Sequence, residues 1–151
     1  MARPTTLRFG AGAIYFEETA APGTFTKICG FTEITFSVDK DLNDTVVEDC
    51  ADPDAPAWIE RDVVSQSAPF SASGVLAKEA WPLVKSALLT TTARKVRIIV
   101  AGLGEGGATP NERIEGNFHV TAEVSGERGS RFNIAITGES DGEVTFTAVA
   151  A

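Results

Sequence analysis

Few residues in this chain stand in a pattern that could support chemistry. Gly102-Leu-Gly104-Glu-Gly106-Gly107 spells G-x-G-x-x-G after an apolar stretch. That pattern cradles a pyrophosphate only when a helix starts there and aims its first amides at it. Ala108-Thr-Pro-Asn-Glu-Arg113 follows, with no helical apolar stripe, so the run reads as a glycine-rich loop between strands. Asp39-Lys-Asp41-Leu-Asn43-Asp44 begins like a calcium loop, yet Asp44 and Cys50 stand where an EF-hand needs Gly and a bidentate Glu. His119 is the one histidine and lies on the polar side of an alternating segment. A catalytic base needs a nucleophile and an orienting group, and no such set surrounds it. Cys29 and Cys50 form neither a C-x-x-C pair nor a disulfide framework and read as free thiols. Asn43-Asp-Thr45 is a glycosylation sequon, but the N-terminus shows no secretory leader. The residues thus point to no enzyme, no cofactor and no metal site.

The elements around these residues are mostly strands. Phe31–Val38 alternates, with Ile34, Phe36 and Val38 on one face and Glu33, Thr35 and Ser37 on the other. Phe70, Ala72 and Leu76 share a face in a return strand over 69–76. The longest alternation sets Ile114, Gly116, Phe118, Val120, Ala122 and Val124 against Glu115, Asn117, His119, Thr121 and Glu123. A two-residue period of this kind marks a strand buried on one side. Further strands are expected within 5–16, at 26–29, at 95–101, and in two C-terminal runs around Ile134 and Phe146. Ser140-Asp141-Gly142 reads as a tight turn, making the C-terminal part a three-strand meander. Ala80, Trp81, Val84, Ala87 and Leu88 recur at helical spacing, which predicts one helix over about 77–89. Pro82 is tolerable there only in the first turn. Seven to nine strands and one helix predict a mainly β fold. The expected architecture is a β-sandwich or barrel of one domain, 1–151, with a flanking α-helix.

Between the two central strands lies an acidic arm over about 39–68. From Asp39 to Asp62 it carries nine acids and two bases, net −7, against −8 for the whole chain. Asp52-Pro-Asp-Ala-Pro56 breaks any helix or central strand. The arm therefore reads as a long acidic loop that leaves the body and meets a partner. Its contact residues would be Asp39, Asp41, Asp44, Glu48, Asp49, Asp52 and Asp54, with Trp58 and Ile59 as apolar anchor. Arg94, Lys95, Arg97, Arg128 and Arg131 are the cations that could receive it. An acidic chain, pI about 4.6, is a poor ligand for nucleic acid, and no apolar run is long enough to span a membrane.

Four stretches in order carry a resemblance: Phe31-Thr-Glu-Ile-Thr-Phe-Ser-Val-Asp39, Phe70-Ser-Ala-Ser-Gly-Val-Leu76, Glu115-Gly-Asn-Phe-His-Val-Thr121 and Gly138-Glu-Ser-Asp-Gly-Glu-Val-Thr-Phe146. With the arm and helix between them, the chain from Arg8 to Val149 resembles the major tail (tail tube) proteins of long non-contractile-tailed bacteriophages and gene transfer agents. The resemblance implies a β-sandwich subunit that forms hexameric rings stacked into a hollow tube. A loop or hairpin would bridge to the next ring, and DNA would pass through the lumen without specific binding. It also implies tape measure, tail terminator and baseplate proteins as partners, no membrane, and a place in the virion tail after assembly in the host cytoplasm. Lumen candidates are the polar faces: Glu33, Thr35 and Ser37; Asn117, His119, Thr121 and Glu123; or Glu143, Thr145 and Thr147. The alternatives are the tube of a contractile injection or secretion system, and a monomeric β-sandwich binding module gripping a basic partner with its acidic loop.

Overall fold

The computed structural model describes residues 3, 5–18, 21–104 and 107–150. Its strands are β1 (Gly12–Glu17), β2 (Phe25–Ile28), β3 (Phe31–Phe36), β4 (Asp39–Val47), β5 (Trp58–Ser67), β6 (Phe70–Val75), β7 (Arg94–Val100), β8 (Asn111–Ser125), β9 (Asn133–Ser140) and β10 (Thr145–Val149). One helix, α1 (Trp81–Leu89), lies between β6 and β7. Eight strands form one antiparallel sheet in the order β2-β1-β7-β8-β9-β6-β3, with β10 also on β8. Strands β4 and β5 form a separate two-stranded sheet.

Strand β8 organises the molecule. Its first half pairs with β7 on one edge, from Glu112 opposite Val100 to Phe118 opposite Arg94. On the other edge the same half pairs with β10, and the second half pairs with β9 from Phe118 opposite Ser140 to Ser125 opposite Asn133. The chain therefore does not turn back at Ser140-Asp141-Gly142. It steps across 141–144 and continues along the same edge of β8, so the expected hairpin and three-strand meander are corrected. Two features hold that step. Asp141 donates its backbone N–H to Asn117 O at 2.8 Å, and the Val144 side chain lies where a Cβ on Gly116 would be, 2.9 Å away.

The sheet curls so that β3 returns over β1, β7 and the start of β8. Ile34 reaches Gly12, and the Phe36 ring meets Phe146 edge-on at 5.9 Å. The two layers make the expected sandwich. They do not close into a barrel, because β2 and β3 end the sheet without pairing with each other. The core between them takes Ile14, Phe16, Val96 and Ile98 from one layer and Phe70, Ala72, Ile134 and Ile136 from the other. Phe118 sits at the change-over and packs edge-on against Phe70 at 5.0 Å. Burying each such side chain contributes about 1.5–3 kcal/mol. Close backbone approach explains one glycine: a Cβ on Gly74 would collide with the Gly30 carbonyl and stand 2.6 Å from Phe31 Cα.

The helix is shorter than expected. Lys78–Ala80 is a 3-10 turn, and the α-helix begins at Trp81 with Pro82 in its first turn, where no intrahelical N–H is needed. Val84 and Ala87 enter the core, whereas Trp81 and Leu89 are exposed. Arg94 ties the helix to the sheet. Its Nη1 donates to Glu17 O at 2.8 Å and its Nη2 to Ser86 Oγ at 3.2 Å. Being buried there, it is not the surface acceptor for the arm that its charge suggested. Among the described residues no helix is long and apolar enough to cross a membrane.

Candidate assembly surfaces

The acidic arm is a β-hairpin, which corrects the expectation of a structureless loop over 39–68. Strands β4 and β5 pair from Asp39 opposite Ser67 to Val47 opposite Trp58. The ladder is in phase with Phe36 opposite Phe70, so the hairpin prolongs β3 and β6 beyond the sheet. Pro69, with no N–H to donate, marks the seam and accepts from Ser37 N at 3.2 Å. At the root Ala68 donates to Ser140 Oγ at 2.9 Å. Beyond it β4 and β5 pair only with each other, and every residue of both is exposed. Thr45, Val46, Val47, Ile59, Val63 and Val64 supply the β-branched side chains that favour strands. Asp49 and Asp52 cap the turn, accepting from the backbone of Ala51 and Ala55.

Opposed residues share a face, so the register divides the hairpin into unlike sides. One face carries Leu42 opposite Val63 and Val46 opposite Ile59, around an Asp44–Arg61 ion pair of 3.1 Å. The other carries Asn43 opposite Asp62, Thr45 opposite Glu60 and Val47 opposite Trp58. Trp58 is 86% exposed. The sequence reading named Trp58 and Ile59 but missed Leu42, Val46 and Val63, whose common face depends on a cross-strand register. Glu48, Asp49, Asp52 and Asp54 sit in the turn. Asp39 and Asp41 lie on a strand rather than in a calcium-loop coil, and no group of potential metal ligands gathers among the described residues.

A second surface is the outward side of β3, β6, β9 and the end of β8. Register brings Thr35, Ser71, Thr137 and Thr121 into one row across four strands, and Glu33, Ser73, Ala135 and Glu123 into the next. Glu139 opposite His119 begins a third row. His119 Nε2 stands 3.3 Å from Asp141 Oδ2 at the exposed surface, not in a catalytic pocket. Sequence reasoning found Glu33, Thr35, His119, Thr121 and Glu123 as separate polar faces, and the fold makes them one. It missed Ser71, Ser73, Thr137 and Glu139. Ser37 lies at the arm's seam, Asn117 beside Lys95, and Glu143 in the step before β10, all outside the two complete rows.

Further along the same side Glu115 gathers three cations: Arg97 at 3.0 Å, with Lys95 and Arg113 both at 3.5 Å. Burial pushes its pKa up, but Arg97, Arg113 and Lys95 outweigh that and hold it below the usual 4.5. A depressed carboxyl stabilises the fold above its unfolded pKa and loses that contribution as pH falls through the folded value. Glu115→Gln should therefore lower the melting temperature at pH 7, and melts across pH should show the gap to wild type closing below 4.5.

The glycine-rich loop turns β7 back into antiparallel β8, a strand, so no helix N-terminus forms for a phosphate. Gly104 N donates to Pro110 O at 3.0 Å and Gly102 N to Asn111 Oδ1 at 3.3 Å, closing the loop on itself. Residues 105 and 106 lie outside the described residues. Cys29 and Cys50 are both free and exposed.

The chain is similar to known proteins in both sequence pattern and fold. The sequence pattern of the family described as phage tail tube protein matches residues 12–146. None of the curated proteins matches. Among solved structures, the fold is similar to a chain in the tail of an empty gene transfer agent particle with C6 symmetry, at TM-score 0.73 and 17% identity, covering 95% of this chain and 100% of that one. It is similar to the SPP1 tail tube at TM-score 0.70 and 10% identity, over 97% of this chain and 81% of the other. It is also similar to a chain of the sheath–tube complex of an extracellular contractile injection system, PVC, at TM-score 0.58 and 12% identity, covering 95% and 93%. A curled sandwich, an outlying amphipathic hairpin and a family match across nearly the whole chain lead to one conclusion: the chain belongs to the phage tail tube protein family and is a tube-forming structural subunit.

Proposed function

We propose that six copies form a ring, that rings stack into the hollow tube of a virion tail, and that DNA passes through the lumen without specific binding. The observation that carries this is the hairpin arm. A lone two-stranded hairpin is marginal in water, and this one exposes an apolar stripe that its own subunit does not cover. It makes sense only if another copy covers it. The C6 symmetry of the related particle tail supports six copies per ring. Joining the sheet ends β2 and β3 to neighbours would also remove exposed strand edges. The lumen lining is the face bearing Thr35, Ser71, Thr137 and Thr121 beside Glu33, Ser73 and Glu123. Short hydroxyl side chains leave the bore smooth, and the carboxylates repel phosphate. A tape measure protein within the bore, and terminator and baseplate proteins at the tube's ends, complete the partners. Assembly takes place in the host cytoplasm.

Negative-stain microscopy of concentrated protein tests the reading: six-fold rings or tubes are expected, and a chain that stays monomeric at every concentration overturns it. A second experiment tests the lining. Thr121→Lys with Thr137→Lys should leave tube formation intact but reduce DNA delivery by particles severalfold, because each lysine can exchange for phosphate counterions and hold the passing strand. Delivery at the wild-type rate would place the lumen on another face.

A further inference from the structure

We infer that the arm of each copy docks, apolar face down, in a groove at the opposite pole of the next copy, formed by Val75, Trp81, Val124 and Phe132 and rimmed by Lys78 and Arg131. The inference rests on the tube reading and identifies the receptor that this reading requires.

The first argument is position. Strand β6 runs from Phe70, beside the arm's root, to Val75, at the groove. Strand β9 runs the other way, starting beside Phe132 and ending at Ser140, which holds the root through Ala68. Arm and groove therefore lie at opposite ends of the same two strands. The six residues of β6 separate them by about 20 Å. The arm continues the β3–β6 ladder outward, and its nine-residue strand β4 reaches about 30 Å further. Two different surfaces that fit each other make a heterologous contact, which propagates from copy to copy instead of closing as a dimer. Opposite poles make that propagation a stack.

The second argument is chemistry. The groove encloses about 520 Å³, and Val75, Val124 and Phe132 are 40%, 40% and 62% exposed in the subunit. An apolar strip of Leu42, Val46, Ile59 and Val63 is the matching surface. Lys78 and Arg131 on the rim meet an arm of net −7. The other apolar groove, on the far flank of α1 at Ile28 and Leu83, carries Glu18 and Glu79 against the single cation Lys27, a poorer match to an acidic arm than the two cations and no acid of the first. The cations Lys95 and Arg97 already share Glu115, and Arg94 is buried.

Site-directed cross-linking tests the docking. In chains carrying Cys29→Ser and Cys50→Ser, Val46→Cys is combined with Val124→Cys, and assembled tubes are treated with a short bis-maleimide. Each copy donates one arm and one groove, so a ladder of covalent multimers is expected. The pair Val46→Cys with Thr121→Cys, on the hydroxyl face, should give none. Tubes that form without the first ladder, or whose cross-links map elsewhere, overturn the docking and leave the tube reading standing. Wild-type chains that form no tubes overturn both. Independently, Lys78→Glu with Arg131→Glu should raise the concentration needed for assembly about tenfold, from two lost ion pairs. An unchanged concentration would also overturn the docking.

Discussion

Replacing Trp58 and Ile59 together by alanine should abolish tube formation and leave the subunit's melting temperature nearly unchanged. Both side chains are more than half exposed, at 86% and 53%, and neither touches the core. Their cross-strand pairs with Val47 and Val46 stabilise the hairpin by only about 0.2–1 kcal/mol each, and any loosening stays within it. In the proposed assembly Ile59 is an apolar anchor on the face that the groove receives, and Trp58 is the largest apolar side chain on the opposite face. Truncating such an anchor typically costs ~2 kcal/mol or more, about thirtyfold in affinity, at every contact in the stack. Thermal melts of the dilute subunit and microscopy of concentrated protein separate the two effects. Hydrogen exchange adds a third readout: amides of β4 and β5 should exchange fast in the subunit and slowly in tubes. Dividing the pair by face is informative. Val46→Ala with Ile59→Ala removes the apolar side that the groove receives, and should block assembly more completely than Val47→Ala with Trp58→Ala. A double mutant that unfolds the subunit would put the arm in the core and remove the argument for a partner.

What the sequence shows and what it hides follow from the range of each interaction. The strands were legible where one face is buried and the other wet. Ile114 to Val124 against Glu115 to Glu123 is the clearest case, and β8 is indeed the longest strand. The arm was not legible as a hairpin because neither of its faces is buried in the subunit. Charge therefore dominated the local pattern, and the pairing of Leu42 with Val63 cannot be seen along the chain. The course of β10 was hidden for a similar reason. Ser140-Asp141-Gly142 has hairpin chemistry, but the Asp141–Asn117 bond and Val144 over Gly116 are long-range contacts that carry the chain onward. The hydroxyl rows were half legible: each strand showed its own polar face, and only the strand order β8-β9-β6-β3 made one surface of them. Arg94 misled because a guanidinium in a strand looks like a surface charge until acceptors such as Glu17 O and Ser86 Oγ are in place.

Phe118→Ala should do the reverse of the arm mutations, destabilising the subunit and sparing the contacts between copies. Phe118 is 1% exposed and stands where β8 passes from one set of neighbours to the other, opposite Arg94 on β7 and Ser140 on β9. Its ring meets Phe70 edge-on at 85°, which couples β8 to β6 across the core. The site cannot collapse to refill the space. Gly116 and Gly138 lie on the same side of the sheet without side chains, and a Cβ on Gly138 would collide with the Phe70 ring. Truncation should therefore cost about 3–5 kcal/mol, a large part of the ~5–15 kcal/mol that such a domain possesses. For a chain of this size that is a drop of roughly 10 °C or more in melting temperature. Phe118→Leu keeps most of the volume and should recover much of the loss. Below its own melting temperature the alanine variant retains the arm, the groove and the hydroxyl rows, so it should still polymerise in the cold. Melts that match wild type would mean that the two halves of β8 do not share one core. Failure to polymerise in the cold by a folded variant would mean that the assembly surfaces depend on the core's packing, and not only on the strand register that displays them.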